Sequence, residues 1–113
     1  MKATDYQKQV LRTTSYTDSS RKSRLAHWSM GLAGEAGEVI DHLKKHLYHG
    51  HSLDKEHVME ELGDVCWYLA TLAAELDIDF DSVLAANLRK LAARYPEGFS
   101  EKASIERKDQ DPS

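Results

Sequence analysis

Leu32-Ala-Gly-Glu-Ala-Gly-Glu-Val-Ile-Asp-His-Leu43 reads as one face of an α-helix, because Leu32, Ala36, Val39, Ile40 and Leu43 recur at three- and four-residue spacing. Val58-Met-Glu-Glu-Leu-Gly-Asp-Val-Cys-Trp-Tyr-Leu69 repeats the pattern with Val58, Leu62, Val65 and Leu69. Each run carries two carboxylates spaced i, i+3: Glu35 with Glu38, and Glu61 with Asp64. On a helical wheel of about 100° per residue, zeroed on Leu32 and Val58, the two pairs fall at the same offsets. Glu35 and Glu61 sit at the edge of the apolar stripe, and Glu38 and Asp64 lie one step further round. The two runs form a short internal repeat.

Tyr48-His-Gly-His-Ser-Leu-Asp54 interrupts the helical pattern, with Gly50 as a C-terminal stop and Ser52 or Asp54 as the next N-cap. Both pairs are then about equally far from one tight turn, and antiparallel packing through the stripes brings four carboxylates to one level of one groove. Two carboxylates about 4 Å apart repel by roughly 4 kcal/mol at an effective dielectric near 20. Such groups raise their own pKa values rather than stabilise a fold. A hard divalent cation removes the penalty, and oxygen-only donors favour magnesium, manganese or calcium over zinc. A lone Glu-x-x-Glu is ordinarily a solvated helix face; two matched copies facing across a hairpin argue for a metal.

Working outward, a short helix is expected near Asp5 to Arg12, with Thr4 and Gln7 at capping-box spacing, then a Ser/Thr-rich loop over 13–20. Long helices are expected from about Arg21 to His49 and from about Asp54 to Leu76. A third main helix uses Phe80, Leu84, Leu88 and Leu91 and ends at Pro96 and Gly98. Residues from about 100 to 113 turn polar and read as a tail, mobile beyond Arg107. The expected fold is all-α, one domain over 1–113: a bundle of two long antiparallel helices, a third packed on them and a short N-terminal helix. Gly31, Gly34 and Gly37 form a row that suits close approach of a helix or ligand. Gly63, Trp67, Ala70 and Ala74 give the second long helix another face, expected to bury in a homodimer or homotetramer.

At 113 residues the chain has a limited core, which favours self-association. A net charge of −4 argues against a general nucleic-acid binder. Cys66 is the only cysteine, which fits a reducing compartment, and its apolar neighbours suggest a buried structural thiol. No signal peptide and no apolar run near the roughly 20 residues that span a bilayer are present, so cytoplasmic residence without a membrane partner is expected.

Three blocks then resemble a known family: Gly31 to Asp41, Glu60 to Ala70, and Asn87-Leu-Arg-Lys-Leu-Ala-Ala-Arg-Tyr-Pro96. In order and spacing they are similar to the MazG-like all-α nucleoside triphosphate pyrophosphohydrolases, from about Leu25 to Phe99. The resemblance implies hydrolysis of an NTP or dNTP to the monophosphate and pyrophosphate, with magnesium held by Glu35, Glu38, Glu61 and Asp64 and manganese as a substitute. It also implies that Asn87 and Lys90 hold substrate phosphate or sugar; Arg94 continues the same helix edge. Glu38 is a candidate general base. It leaves the nucleobase open, since family substrates differ.

Several residues carry rival readings. Trp28, Tyr68 and Tyr95 suit base stacking, but aromatics at helical spacing more often form a core. His42, His46, His49 and His51 have metal-ligand spacings, yet Gly50 breaks their helix and a solvated end is favoured. Lys44 and Lys45 suit phosphate or the helix dipole. Glu60 points away from the other acids. A non-catalytic helical interaction module explains the amphipathic helices without the matched acids. A di-iron bundle requires Glu-x-x-His, which the chain lacks.

Overall fold

The computed structural model describes residues 1–15 and 20–110, so Tyr16 to Ser19 of the expected Ser/Thr loop and the last three residues of the expected tail lie outside the described residues. Five helices follow in order: α1 (Ala3–Leu11), α2 (Arg21–Tyr48), α3 (Lys55–Glu75), α4 (Phe80–Arg94) and α5 (Glu101–Glu106), with a 3-10 turn at Lys108–Gln110. The all-α expectation holds, as do the long helix boundaries to within a residue. Ser20 caps α2 by accepting from the Ser23 amide, and Asp54 caps α3 by accepting from the His57 amide. Gly50 takes φ of +73°, the left-handed geometry that lets the chain leave α2 and reverse.

α2 and α3 pair antiparallel in a constant register. Arg24 meets Glu75, Gly31 meets Tyr68, Glu35 shares a cleft with Asp64, Glu38 shares one with Glu61, and the rings of His42 and His57 lie 5.2 Å apart. Each advance along α2 is matched by an equal retreat along α3, in steps of seven, four, three and four residues, the spacing of an interhelical seam. The acids therefore occupy the seam itself, where a hairpin ordinarily places apolar side chains. Gly31 explains how the backbones come so close: a Cβ there would overlap the Tyr68 ring. Gly34 and Gly37 meet nothing within 4 Å, so of the glycine row only Gly31 serves helix packing.

α1 lies across α3 and the start of α4. Val10, Ala70 and Phe80 form a small buried core, with Ala3, Tyr6 and Trp67 against it. Gln7 ties the three elements together: its Nε2 donates to the carbonyls of Ala70 (3.1 Å) and Ile78 (3.0 Å), and its Oε1 accepts from the Phe80 amide (3.0 Å). The capping-box reading of Thr4 and Gln7 is thereby corrected, because Thr4 bonds Asp81 and Lys2 holds the N-cap position without a side-chain bond. The face of α3 assigned to oligomerisation is corrected as well. Ala70 and Trp67 are taken by α1, and the Trp67 indole donates to the Thr13 hydroxyl at 2.8 Å.

Two further expectations change. Cys66 is exposed instead of buried. The C-terminal segment is structured through Gln110, because α5 is capped by Ser100 and Asp109 pairs with Arg94.

Much apolar surface stays uncovered. Ile40, Leu47, Leu62 and Leu88 are each more than half exposed, and every residue of α4 from Asp81 to Ala93 is exposed. The accessible surface is 8428 Å², against about 6,300 Å² for a compact monomer of this mass. The radius of gyration is 17.5 Å, against about 13 Å for a chain of this length.

Candidate metal centre

The polar half of the α2–α3 seam begins where the Trp28–Trp67 contact (5.7 Å, edge-on) ends. Glu35 and Asp64 line a shallow cleft of about 290 Å³ together with Trp67 and Tyr68. Glu38 and Glu61 line a second cleft of about 290 Å³ with Asp41, His42, Lys45 and His57. The hairpin thus brings the acids together as cross-helix pairs, Glu35 with Asp64 and Glu38 with Glu61.

Burial and mutual charge act on these groups. Glu61 is only 5% exposed, and its Oε1 makes no hydrogen bond although Nε2 of His57 lies 3.2 Å away; Oε2 of Glu35 is buried and unpartnered. Desolvation, reinforced by the charges of Glu38, Asp64 and Glu61, pushes the Glu35 carboxyl above its ordinary range. Among the described residues no lysine or arginine forms an ion pair with any of the four. Lys44 and Lys45, which follow the first acid pair on α2, pair with Asp41 at 3.4 and 2.9 Å, and Asp41 is held below the usual carboxylate range by those hydrogen bonds. Orphaned buried oxygens and uncompensated charge are what a hard divalent cation relieves, so the donor set fits one.

The remaining expected site residues stand apart. Asn87 and Lys90 are exposed on α4 and line neither acidic cleft. Arg94 makes a forked ion pair with Asp109, Nε to Oδ1 at 2.7 Å and Nη2 to Oδ2 at 2.9 Å, which holds the Asp109 carboxyl below its ordinary range. Trp28 is buried core, with its indole on Glu75 at 3.3 Å, and Tyr95 packs on Phe99. Of the three aromatics weighed for stacking, only Tyr68 reaches the acids, joined by Trp67. Sequence reasoning missed His57; its signal was the four-residue spacing to Glu61, which places Nε2 3.2 Å from Oε1.

The sequence model of the MazG nucleotide pyrophosphohydrolase domain matches residues 25–99. The chain belongs to the MazG family. All three blocks that resemble the family lie inside this MazG domain, and so do the four acids. Gene 37 protein of Mycobacterium phage L5 is 40% identical over 78 residues, covering 66% of this chain and 68% of its own, and its name states no activity. No solved structure matches the chain. The MazG match begins beside Arg24 and ends at Phe99, so α1 and the C-terminal segment from Ser100 lie outside it. No helix among the described residues is long and apolar enough to cross a membrane.

Proposed function

We propose that this MazG protein is a cytoplasmic, magnesium-dependent nucleoside triphosphate pyrophosphohydrolase, converting an NTP or dNTP and water to the monophosphate and pyrophosphate. The observation that carries the reading is the seam: a helix pair that buries Glu61 and crowds it with Glu35, Glu38 and Asp64 loses packing energy for no structural return. In this reading Glu35, Glu38, Glu61 and Asp64 hold magnesium, and manganese substitutes for it. When bound, magnesium supplies charge neutralisation for the triphosphate and Lewis acidity at the phosphoryl oxygens.

The chain's own groups do the rest. Glu38 is exposed in the second cleft, where it is open to solvent and suited to take a proton from water. The water oxygen bonds to the α-phosphorus, the bridging bond from the α-phosphorus to its β-side oxygen breaks, and pyrophosphate leaves. Tyr68 and Trp67 offer the base an aromatic wall beside Glu35 and Asp64.

Asn87 and Lys90 hold substrate from a second copy in a homodimer or homotetramer. The excess accessible surface supports this, since it is larger than the roughly 800 Å² per partner of a standard interface. The exposed stripes of α2, α3 and α4 supply the apolar face that α1 removes from the other side of α3. Arg94 is left out of the binding set, because Asp109 occupies its guanidinium.

The test is pyrophosphate release from a panel of ribo-, deoxyribo- and modified triphosphates with and without magnesium. Glu61→Gln should abolish turnover while keeping the helical circular dichroism spectrum; wild-type turnover in that variant contradicts the role assigned to Glu61, and no release from any triphosphate returns the weight to a non-catalytic interaction module.

A further inference from the structure

One helical turn nearer the hairpin than Glu38 and Glu61, the seam changes chemistry. His42 on α2 and His57 on α3 face each other with ring planes 46° apart. A ring nitrogen from each and a carboxylate oxygen of Glu61 all lie within 4.8 Å of one another. Two of the atoms at this place are buried and make no hydrogen bond: Nε2 of His42, and Oε1 of Glu61 with His57 Nε2 3.2 Å from it. The histidine tract weighed along α2 is not what forms here, since Nδ1 of His46 is engaged with the His51 carbonyl at 2.8 Å.

Two imidazoles and one carboxylate are a donor set of different preference from the four acids. Hard oxygen sites suit magnesium, whereas imidazole donors suit zinc and its first-row neighbours. Tetrahedral zinc, with bonds of roughly 2.0–2.2 Å, wants its donors about 3.4 Å apart. His57 Nε2 already lies 3.2 Å from Oε1 of Glu61, and the three donors lie within 4.8 Å of one another. Three protein donors leave a fourth position open toward the cleft that Asp41 and Lys45 also line. Lys45 does not oppose a cation there, because its ammonium pairs with Asp41.

We propose that His42, His57 and Glu61 form a second cation site, selective for a borderline transition-metal ion such as zinc and linked to the hard-cation acids through Glu61. The site stands whether or not the protein hydrolyses nucleotides.

Metal-free full-length protein, without nucleotide, is titrated with cobalt(II) as a spectroscopic stand-in for zinc and followed by visible absorption and imidazole proton NMR. One cobalt per chain should give the intense bands of four- or five-coordinate cobalt and perturb His42 and His57. Zinc should displace it, and millimolar magnesium should not. His42→Gln and His57→Gln, each checked for unchanged helicity, should weaken binding about tenfold or more, since loss of even an outer partner of a metal ligand has an effect of that size. Weak six-coordinate absorption with unperturbed rings, or binding that survives both substitutions, overturns the proposal. Absence of pyrophosphate release leaves this titration unaffected, so the two readings fail separately.

Discussion

Arg24 and Glu75 close the end of the α2–α3 seam farthest from the turn with a forked ion pair, Nε to Oε1 at 2.6 Å and Nη2 to Oε2 at 3.2 Å. The Trp28 indole adds a third donor to the same carboxylate. The hydrogen bond from Arg24 is the main reason that Glu75 is held below the ordinary carboxylate range. A clamp at one end and a constant register along the helices together decide which acids face each other at the other end.

Arg24→Met should therefore lower unfolding stability by about 1–3 kcal/mol, the range for stripping a partner from a mostly buried polar group. Because the folded pKa of Glu75 is depressed, its contribution is present above the ordinary carboxylate range and is lost as pH falls through the folded value. Urea unfolding at neutral and acid pH should show a shallower acid loss in the variant than in the wild type.

Glu35 predicts the opposite sign. Its folded pKa is raised, so the native state binds its proton more tightly than the unfolded chain, and stability falls as pH climbs from the ordinary carboxylate value through the raised one. In chelator, Glu35→Gln should melt above the wild type at neutral pH, with the difference closing at acid pH. Millimolar magnesium should raise the wild-type melting temperature and narrow the same gap; a melting curve indifferent to magnesium would contradict the assigned donors.

The glycines separate two effects in one experiment. Gly31→Ala forces the Tyr68 ring out of its seat and should destabilise by about 1–3 kcal/mol. Gly34→Ala meets nothing within 4 Å and should gain up to about 1 kcal/mol of helix propensity. Chemical denaturation of both variants checks the contrast.

If α4 serves the acids of another copy, two dead variants should complement each other. Glu61→Gln and Asn87→Ala, mixed after co-refolding, should recover about a quarter of wild-type turnover, since random pairing in a two-fold dimer makes half the dimers mixed, each with one intact site. Recovery no greater than the sum of the separate variants would place Asn87 outside a shared site.

Periodicity made the helices legible because the apolar spacing, Gly50 and Asp54 all encode local backbone geometry. The matched offsets of the acid pairs likewise announced that Glu35, Glu38, Glu61 and Asp64 would face one another across the hairpin, but the structure stacks them as two successive cross-helix pairs in two clefts and not at one level of one groove. What a wheel could not supply was which edge of each stripe becomes the contact. The acids lie in the seam, in register with the close approach of Gly31 to Tyr68, and Ile40 and Leu62 are more than half exposed. Gln7 looked like a cap since its spacing from Thr4 is local, while its three partners are more than sixty residues away. His57 escaped notice for the same reason, as its role depends on His42 across the turn.

The seam is also unevenly built for folding. The segment beside the turn needs the least chain closure and would ordinarily zip first. Here that segment holds the repelling carboxylates, and the Arg24–Glu75 and Trp28–Trp67 contacts that favour pairing sit at the distant end, where closure entropy is largest. A cation that joins the strands of charge beside the turn would reverse this order, making ion availability a control on how fast the hairpin assembles as well as on what it later does.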